Sequence, residues 1–321
     1  MQCRNIILEG KIKEWLKSES FIKENVTEQA AVLQSLIHLY HATKDAAYKD
    51  FVMAKVDEYI KKDGSVDFTF EEQNLNVFYL TNIFIFARNL FEEEKAAKIA
   101  ASCGADSADL AKIENPYEKA VLILAEKLNT QKRTKTGIFM NKESKQPVDL
   151  LAGTYFSQPF YMNYETILGG KERYNDVIAQ VNQVQEVYEA EKAALSQKEN
   201  AYFAVAAQMY ACALIDTMAV SSQQVYEVYN QLRAYFKVVV KDLLNADVKG
   251  LHMAYAILKG CRLKALHTEL YADRELAILL ESIENAEKDF ASYTQEQKAT
   301  LVLAYAESLE NRAYQNYLEL K

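Results

Sequence analysis

Four kinds of side chain in this sequence could carry chemistry: scattered carboxylates, 4 histidines, 4 cysteines and 21 tyrosines. His38 and His41 lie three residues apart and share a helix face, which is half of a metal site, but no third ligand with matching spacing follows. They read as a partly exposed helix end, and His252 and His267 read the same way. Glu92-Glu93-Glu94 puts three carboxylates on consecutive helical residues that point in different directions, so it reads as a solvated face rather than a cation site. Cys3, Cys103, Cys212 and Cys261 match no CxxC spacing and read as free thiols in a reducing compartment. The sequence has no P-loop, dinucleotide fingerprint, nucleophile elbow or His-Glu-x-x-His. Gly169-Gly170-Lys171 follows a helical stretch and reads as its stop, not as a phosphate cradle. No metal or organic cofactor is expected.

The elements that must position these groups are helices. Apolar residues recur at three- and four-residue spacing along nearly the whole chain. Helices are predicted at Val26–Tyr40 and Asp45–Ile60, joined by a link short enough to force antiparallel packing. Gly64 is expected to end the second in a left-handed cap. Further helices are predicted over Leu75–Phe91, an Ala-rich stretch within Glu92–Glu114, Pro116–Leu128, Val148–Ile167, Tyr174–Leu195, Glu199–Ala219, Ser222–Leu244, Leu251–His267, Asp273–Ser292 and Thr294–Leu318. Tyr226, Tyr229 and Tyr235 read as packing between hairpins, and Phe84, Phe86 and Phe91 as core. About a dozen helices in short-linked pairs make either an open solenoid or a closed toroid of hairpins. The absence of a fixed sequence period favours the toroid.

Composition agrees with one large repetitive architecture over residues 1–321. Only 3 prolines and 9 glycines occur in 321 residues, and no Pro/Gly/Ser-rich stretch divides them. The net charge of −8, with acidic and basic residues interspersed, excludes a phosphate-tracking surface for nucleic acid. The N-terminal residues lack the apolar core of a secretory signal, and no segment is expected to reach the ~20 apolar residues that span a bilayer. The expected setting is the cytoplasm, with no membrane partner. Nothing in the sequence sets an oligomeric state.

Three stretches carry a more specific message. ATKDAAYKDFVMAKVDEYIKKDGSVDFTFEEQNLN (42–76) has a Thr-x-Asp-x-x-Tyr-like helix start, an Asp-Gly-x-Val stop and a loop leading to Gln-Asn-Leu-Asn. QKRTKTGIFMNKESKQPVDLLAGTYFSQPFYMNYE (131–165) carries Arg-Thr, Gly-x-Phe and a helix reading Asp-Leu-Leu-Ala-Gly-Thr-Tyr-x-x-x-Pro-Phe. MAYAILKGCRLKAL (253–266) is the third. In this order they resemble glycoside hydrolase families 88 and 105, the unsaturated uronyl hydrolases. The resemblance runs from about residue 30 to 267 and implies an all-α, six-hairpin α/α barrel with its site at one mouth.

The resemblance also implies a chemistry that the residues depart from. Its helix motif places a general acid/base aspartate directly before Gly-x-Tyr; aligning Gly153-Thr154-Tyr155 puts Ala152 there, and a methyl group moves no proton. The second carboxylate of the pattern falls at Asn74, which hydrogen-bonds but does not ionise. The pattern's aromatic-histidine pair becomes Met140-Asn141, its motif tryptophan becomes Leu150, and the sole tryptophan, Trp15, lies outside every motif. Asn74, Asn141, Asp149, Ala152 and Tyr155 are therefore the ligand-facing candidates. Three readings stand: a barrel that binds a carbohydrate-derived ligand, an oligosaccharide or unsaturated uronic-acid disaccharide, with lost or altered catalysis; an active uronyl hydrolase whose acid has moved one helical turn to Asp149; and a non-catalytic helical scaffold. The plainer role for Asp149 is a first-turn carboxylate favoured by the helix dipole.

Overall fold

The computed structural model describes residues 5–18, 26–61, 63–67, 74–102, 105–142, 144, 146–196 and 201–319. The described residues form fourteen α-helices in chain order: α1 (Ile6–Ser18), α2 (Val26–Thr43), α3 (Ala46–Tyr59), α4 (Asn76–Ala101), α5 (Ala105–Ala111), α6 (Pro116–Ala125), α7 (Lys127–Thr130), α8 (Pro147–Ile167), α9 (Tyr174–Glu191), α10 (Ala201–Val220), α11 (Tyr226–Asn245), α12 (Leu251–Arg262), α13 (Thr268–Asp289) and α14 (Gln295–Glu319).

Packing decides between solenoid and toroid. Helices α2, α4, α8, α10, α12 and α14 each pack on the next, and α14 packs on α2, so the row closes into a ring. The other long helices lie outside it: α3 against α2 and α4, α6 against α4, α9 against α8, α11 against α10, α13 against α12 and α14, and α1 against α13. The architecture is the α/α toroid that the sequence predicts.

Burial pattern follows position. An inner helix is covered by outer helices on one side and faces the barrel axis on the other, so it must be apolar on most of its circumference. In α4 every residue from Val77 to Ala87 except Asn82 is buried. The outer helix α11 buries one stripe, Val228, Leu232, Phe236, Val239, Val240 and Leu243, and leaves the rest half-buried or exposed. Helix α10 corrects a sequence expectation: it is long and apolar enough to cross a membrane, yet 72% of its apolar window is buried inside the toroid.

Because each outer helix returns the chain, all six inner helices run the same way and start at the same mouth. The connections into α4, α8 and α10 are long there, as in residues 126–146. At the opposite mouth the turns are tight, and Lys44, Lys171 and Lys264, just beyond the ends of α2, α8 and α12, take left-handed backbone with φ of 57°, 69° and 58°. Lysines at these positions also complement the negative end of the inner-helix dipoles. Gly64 takes the left-handed conformation predicted for it, φ 78°.

Boundaries differ from the sequence reading where no breaker was present to read. α4 runs unbroken for 26 residues through Phe91 into the Ala-rich stretch, because nothing between Phe91 and Glu92 interrupts the helix. α1 was not anticipated, and it buries Leu8, Ile12 and Trp15 against the last hairpin. α11 begins at Tyr226 rather than Ser222, whose hydroxyl accepts from the Gln224 amide in a local turn. α12 ends at Arg262, where the amides of Ala265 and Leu266 both return to the Gly260 carbonyl.

Candidate functional site

The mouth at which the inner helices begin holds the first turns of α4, α8, α12 and α14, and the predicted site residues near it fall into two groups. Asn74, Asn141 and Asp149 are engaged with backbone. Asn74 Oδ1 accepts from the Asn76 amide at 2.9 Å and so turns the chain into α4. Asn141 Oδ1 accepts from the Leu75 amide at 2.7 Å, tying the 131–146 connection to that same turn. Asp149 is the third residue of α8, which starts at Pro147. Its carboxylate accepts from the Gln146 amide at 3.0 Å and from the Tyr202 hydroxyl at 2.8 Å. The first bond is half of a capping box, one of the standard ways to satisfy a helix start. Ala152 is half-buried on the following turn.

Tyr155 belongs to the second group. It is buried and lines a cavity of about 70 Å3 that reaches into the barrel from this mouth. Its hydroxyl meets that of Tyr79 at 2.8 Å, and its ring meets the edge of His252 at 5.9 Å. Burial drives both tyrosine hydroxyls far above their ordinary range, so both stay protonated. Burial likewise pushes the His252 imidazole down to about 4, against the opposing pull of Asp216, so His252 is neutral. Glu28 from α2 and Glu296 and Thr300 from α14 complete the polar part of the lining; Met209, Phe156 and Leu303 supply apolar surface.

Glu28, Tyr79, His252 and Glu296 are the site residues that sequence reasoning missed. His252 is the partly exposed helix end that the sequence suggested, in the first turn of α12, and there it also lines the cavity. The available signal was positional. Glu28 and Glu296 occupy first turns of inner helices, as Asp149 does, and every such turn borders this mouth. His38 and His41 are, as expected, a partly and a more fully exposed residue near the end of α2, and both line a second cavity. His267 is exposed just before α13.

The late tyrosines stay out of both cavities. Tyr229 donates to the Leu263 carbonyl and Tyr235 to Asn182, while Tyr226 is 64% exposed and stacks on Tyr229. Cys212 and Cys261 are buried, and Cys3 and Cys103 lie outside the described residues, as do Gln73 and the 197–200 segment. Among the described residues no group of three histidine, cysteine or acidic side chains is placed to hold a metal ion.

Chemically this mouth offers neutral hydroxyls, a neutral imidazole and rim carboxylates around an apolar wall. That inventory suits hydrogen bonding to a hydroxylated ligand. A carboxylic acid is missing from position 152, and the nearest carboxylate on that helix, Asp149, is bonded to the helix start and to Tyr202.

Comparisons with known proteins bear on this geometry. The model of Glycosyl Hydrolase Family 88 matches residues 11–208. The solved structure of a family 105 glycoside hydrolase from C. acetobutylicum ATCC 824 superposes with a TM-score of 0.65 at 19% identity, covering 94% of this chain and 98% of that one. At that identity the superposition speaks for the fold. No curated protein matches the chain.

Proposed function

Because this chain belongs to glycosyl hydrolase family 88, we propose that it binds a uronic-acid-containing oligosaccharide at the mouth where its inner helices begin, without the hydration chemistry that the family resemblance implies. In that chemistry an acid protonates the C=C bond of an unsaturated uronic acid and water adds. The observation that carries the reading is the pair of neighbours on α8: Ala152 stands at the acid's position, and Asp149 accepts from the Gln146 amide and the Tyr202 hydroxyl. Both oxygens are thereby engaged, Oδ2 by the helix start and Oδ1 by Tyr202. Binding is supported by the cavity's hydroxyl and imidazole lining.

Two measurements on the wild-type protein test this. Absorbance of the conjugated C=C of unsaturated uronyl disaccharides is expected to stay constant with enzyme-level protein, while calorimetry with the same compounds is expected to register binding. Turnover that disappears in Asp149→Ala would transfer the acid role to Asp149 and overturn the non-catalytic reading. Absence of heat with unsaturated and saturated uronides alike would overturn the binding reading and favour a scaffold.

A further inference from the structure

The barrel holds a second cavity, larger than the first. It has a volume of about 240 Å3 and is lined by the second halves of α2, α8 and α10, by α4 between Tyr79 and Asn89, by α12 and by Leu303 of α14; the ends of α2, α8 and α10 set it toward the tight-turn mouth. Tyr79 and Leu303 line both cavities and form the wall between them.

Its lining is polar but electrically balanced. The buried Lys259 ammonium donates to Asp216 Oδ1 and to the Tyr255 hydroxyl, at 2.7 and 2.8 Å, and Tyr255 donates to the same Asp216 oxygen at 2.7 Å. One positive and one negative charge thus cancel inside the wall. Burial holds His38 well below its ordinary value, and Lys259 pushes the same way, so this ring adds no charge. His41 is lowered too, by burial and then by Lys44.

What remains facing the space is hydrogen-bonding capacity. Gln34 Oε1 is buried with no hydrogen-bond partner among the described residues. Asn163 Nδ2 donates to Asn82 Oδ1 at 3.2 Å, which leaves the Asn163 carbonyl and the Asn82 amino group. Both bonds to Asp216 land on Oδ1, which leaves Oδ2. Acceptors and a donor therefore alternate around a neutral chamber, with Phe86 as one apolar wall. Drug-sized ligands occupy sites of about 300–1,000 Å3, so this chamber suits a smaller one. A buried amide oxygen left without a partner is costly, and a ligand hydroxyl donating to Gln34 Oε1 would recover that cost.

We infer that this opposite-mouth chamber is a binding site for a small neutral polyhydroxylated molecule of monosaccharide size. A uronate is disfavoured, because the one cation in the lining among the described residues, Lys259, is already matched by Asp216. The inference is independent of the uronide-binding reading, which concerns the other mouth.

The four histidines locate the ligand directly. His38 and His41 line this chamber, His252 lines the other cavity, and His267 is exposed on the outer helix. Imidazole proton resonances, assigned with single His→Gln variants, are followed while the wild-type protein is titrated with free neutral hexoses, 6-deoxyhexoses and pentoses, and with galacturonate. The expected result is saturable movement of the His38 and His41 signals with at least one neutral sugar and none with galacturonate. Asn82→Leu and Gln34→Leu, checked for folding by circular dichroism, are each expected to weaken that binding about tenfold. Movement confined to His252, no movement with any neutral sugar, or undiminished affinity in both variants would overturn the assignment; if both variants misfold, the wild-type signals alone decide.

Discussion

Asp149 shows how one carboxylate can be read correctly for its helix and still leave its second role open. Its place near the start of an apolar periodic stretch makes a first-turn carboxylate legible from the sequence. Its bond with Tyr202, 53 residues away in the chain, is not, because only the packing of α8 on α10 brings them together. Asp149→Asn is expected to cost about 1 kcal/mol in urea unfolding, the value of a helix-start bond, with no change in an absorbance assay that is flat in the wild type. A second buried acid has no helix start to serve. Glu275 is fully buried, with Arg274 Nε 3.9 Å from its Oε1 and, among the described residues, no hydrogen bond to either oxygen. Burial pushes its carboxyl up from 4.5 to about 7, opposed only by Arg274. Between these values the folded chain holds a proton that the unfolded chain has released, so stability falls as pH rises from 4.5 to about 7 and is level above. Glu275→Gln is expected to flatten that slope and to raise stability at pH 8 by about 1–3 kcal/mol in denaturant melts; an unchanged slope would place the proton elsewhere.

At the scale of elements, the third motif is a fastening. In Leu258-Lys259-Gly260-Cys261-Arg262, Lys259 reaches Asp216 on α10, and Arg262 grips Glu307 on α14 through two bonds of 2.6 and 2.7 Å. Between them Gly260 lets the Phe236 ring of α11 press on the α12 backbone; a Cβ there would stand 2.6 Å from its Cε1. The motif was visible in the sequence as a resemblance, but each of its three partners lies on a different helix, so its role was not. Gly260→Ala gains about 1 kcal/mol of helix propensity yet is expected to destabilise by about 1–3 kcal/mol net, because the fully buried Phe236 has little room to retreat. Thermal melting of the variant measures the sign directly. Helix existence was legible for the same reason throughout: the three- and four-residue apolar period survives in every hairpin. Ends were less so, since α4 passes its expected stop and α12 falls short of its own, both governed by packing or backbone turns rather than by a breaker residue.

Over the whole molecule, the ring is joined by its first helix as well as its last. The Trp15 indole donates to Gln295 at 3.1 Å and meets the edge of Phe290 at 5.9 Å, while the Tyr305 hydroxyl accepts from the Asn5 amide and donates to Glu9. The single tryptophan therefore reports on the junction where chain start and last hairpin meet. Its fluorescence and far-UV circular dichroism are expected to follow one urea transition; an earlier fluorescence change would mean that α1 leaves before the ring opens. Closure itself was only a preference on periodicity, because a solenoid and a toroid share the same helical period and differ in a single contact, here that of α14 with α2. The site was less legible than the fold: the candidate residues that the motifs supplied are mostly bound to backbone, and the side chains that face the cavity come from first turns scattered over four helices. The wall that Tyr79 and Leu303 place across the barrel has a thermodynamic corollary. A guest on one side that shifts either side chain alters the room on the other, and linkage requires that the influence run equally in both directions.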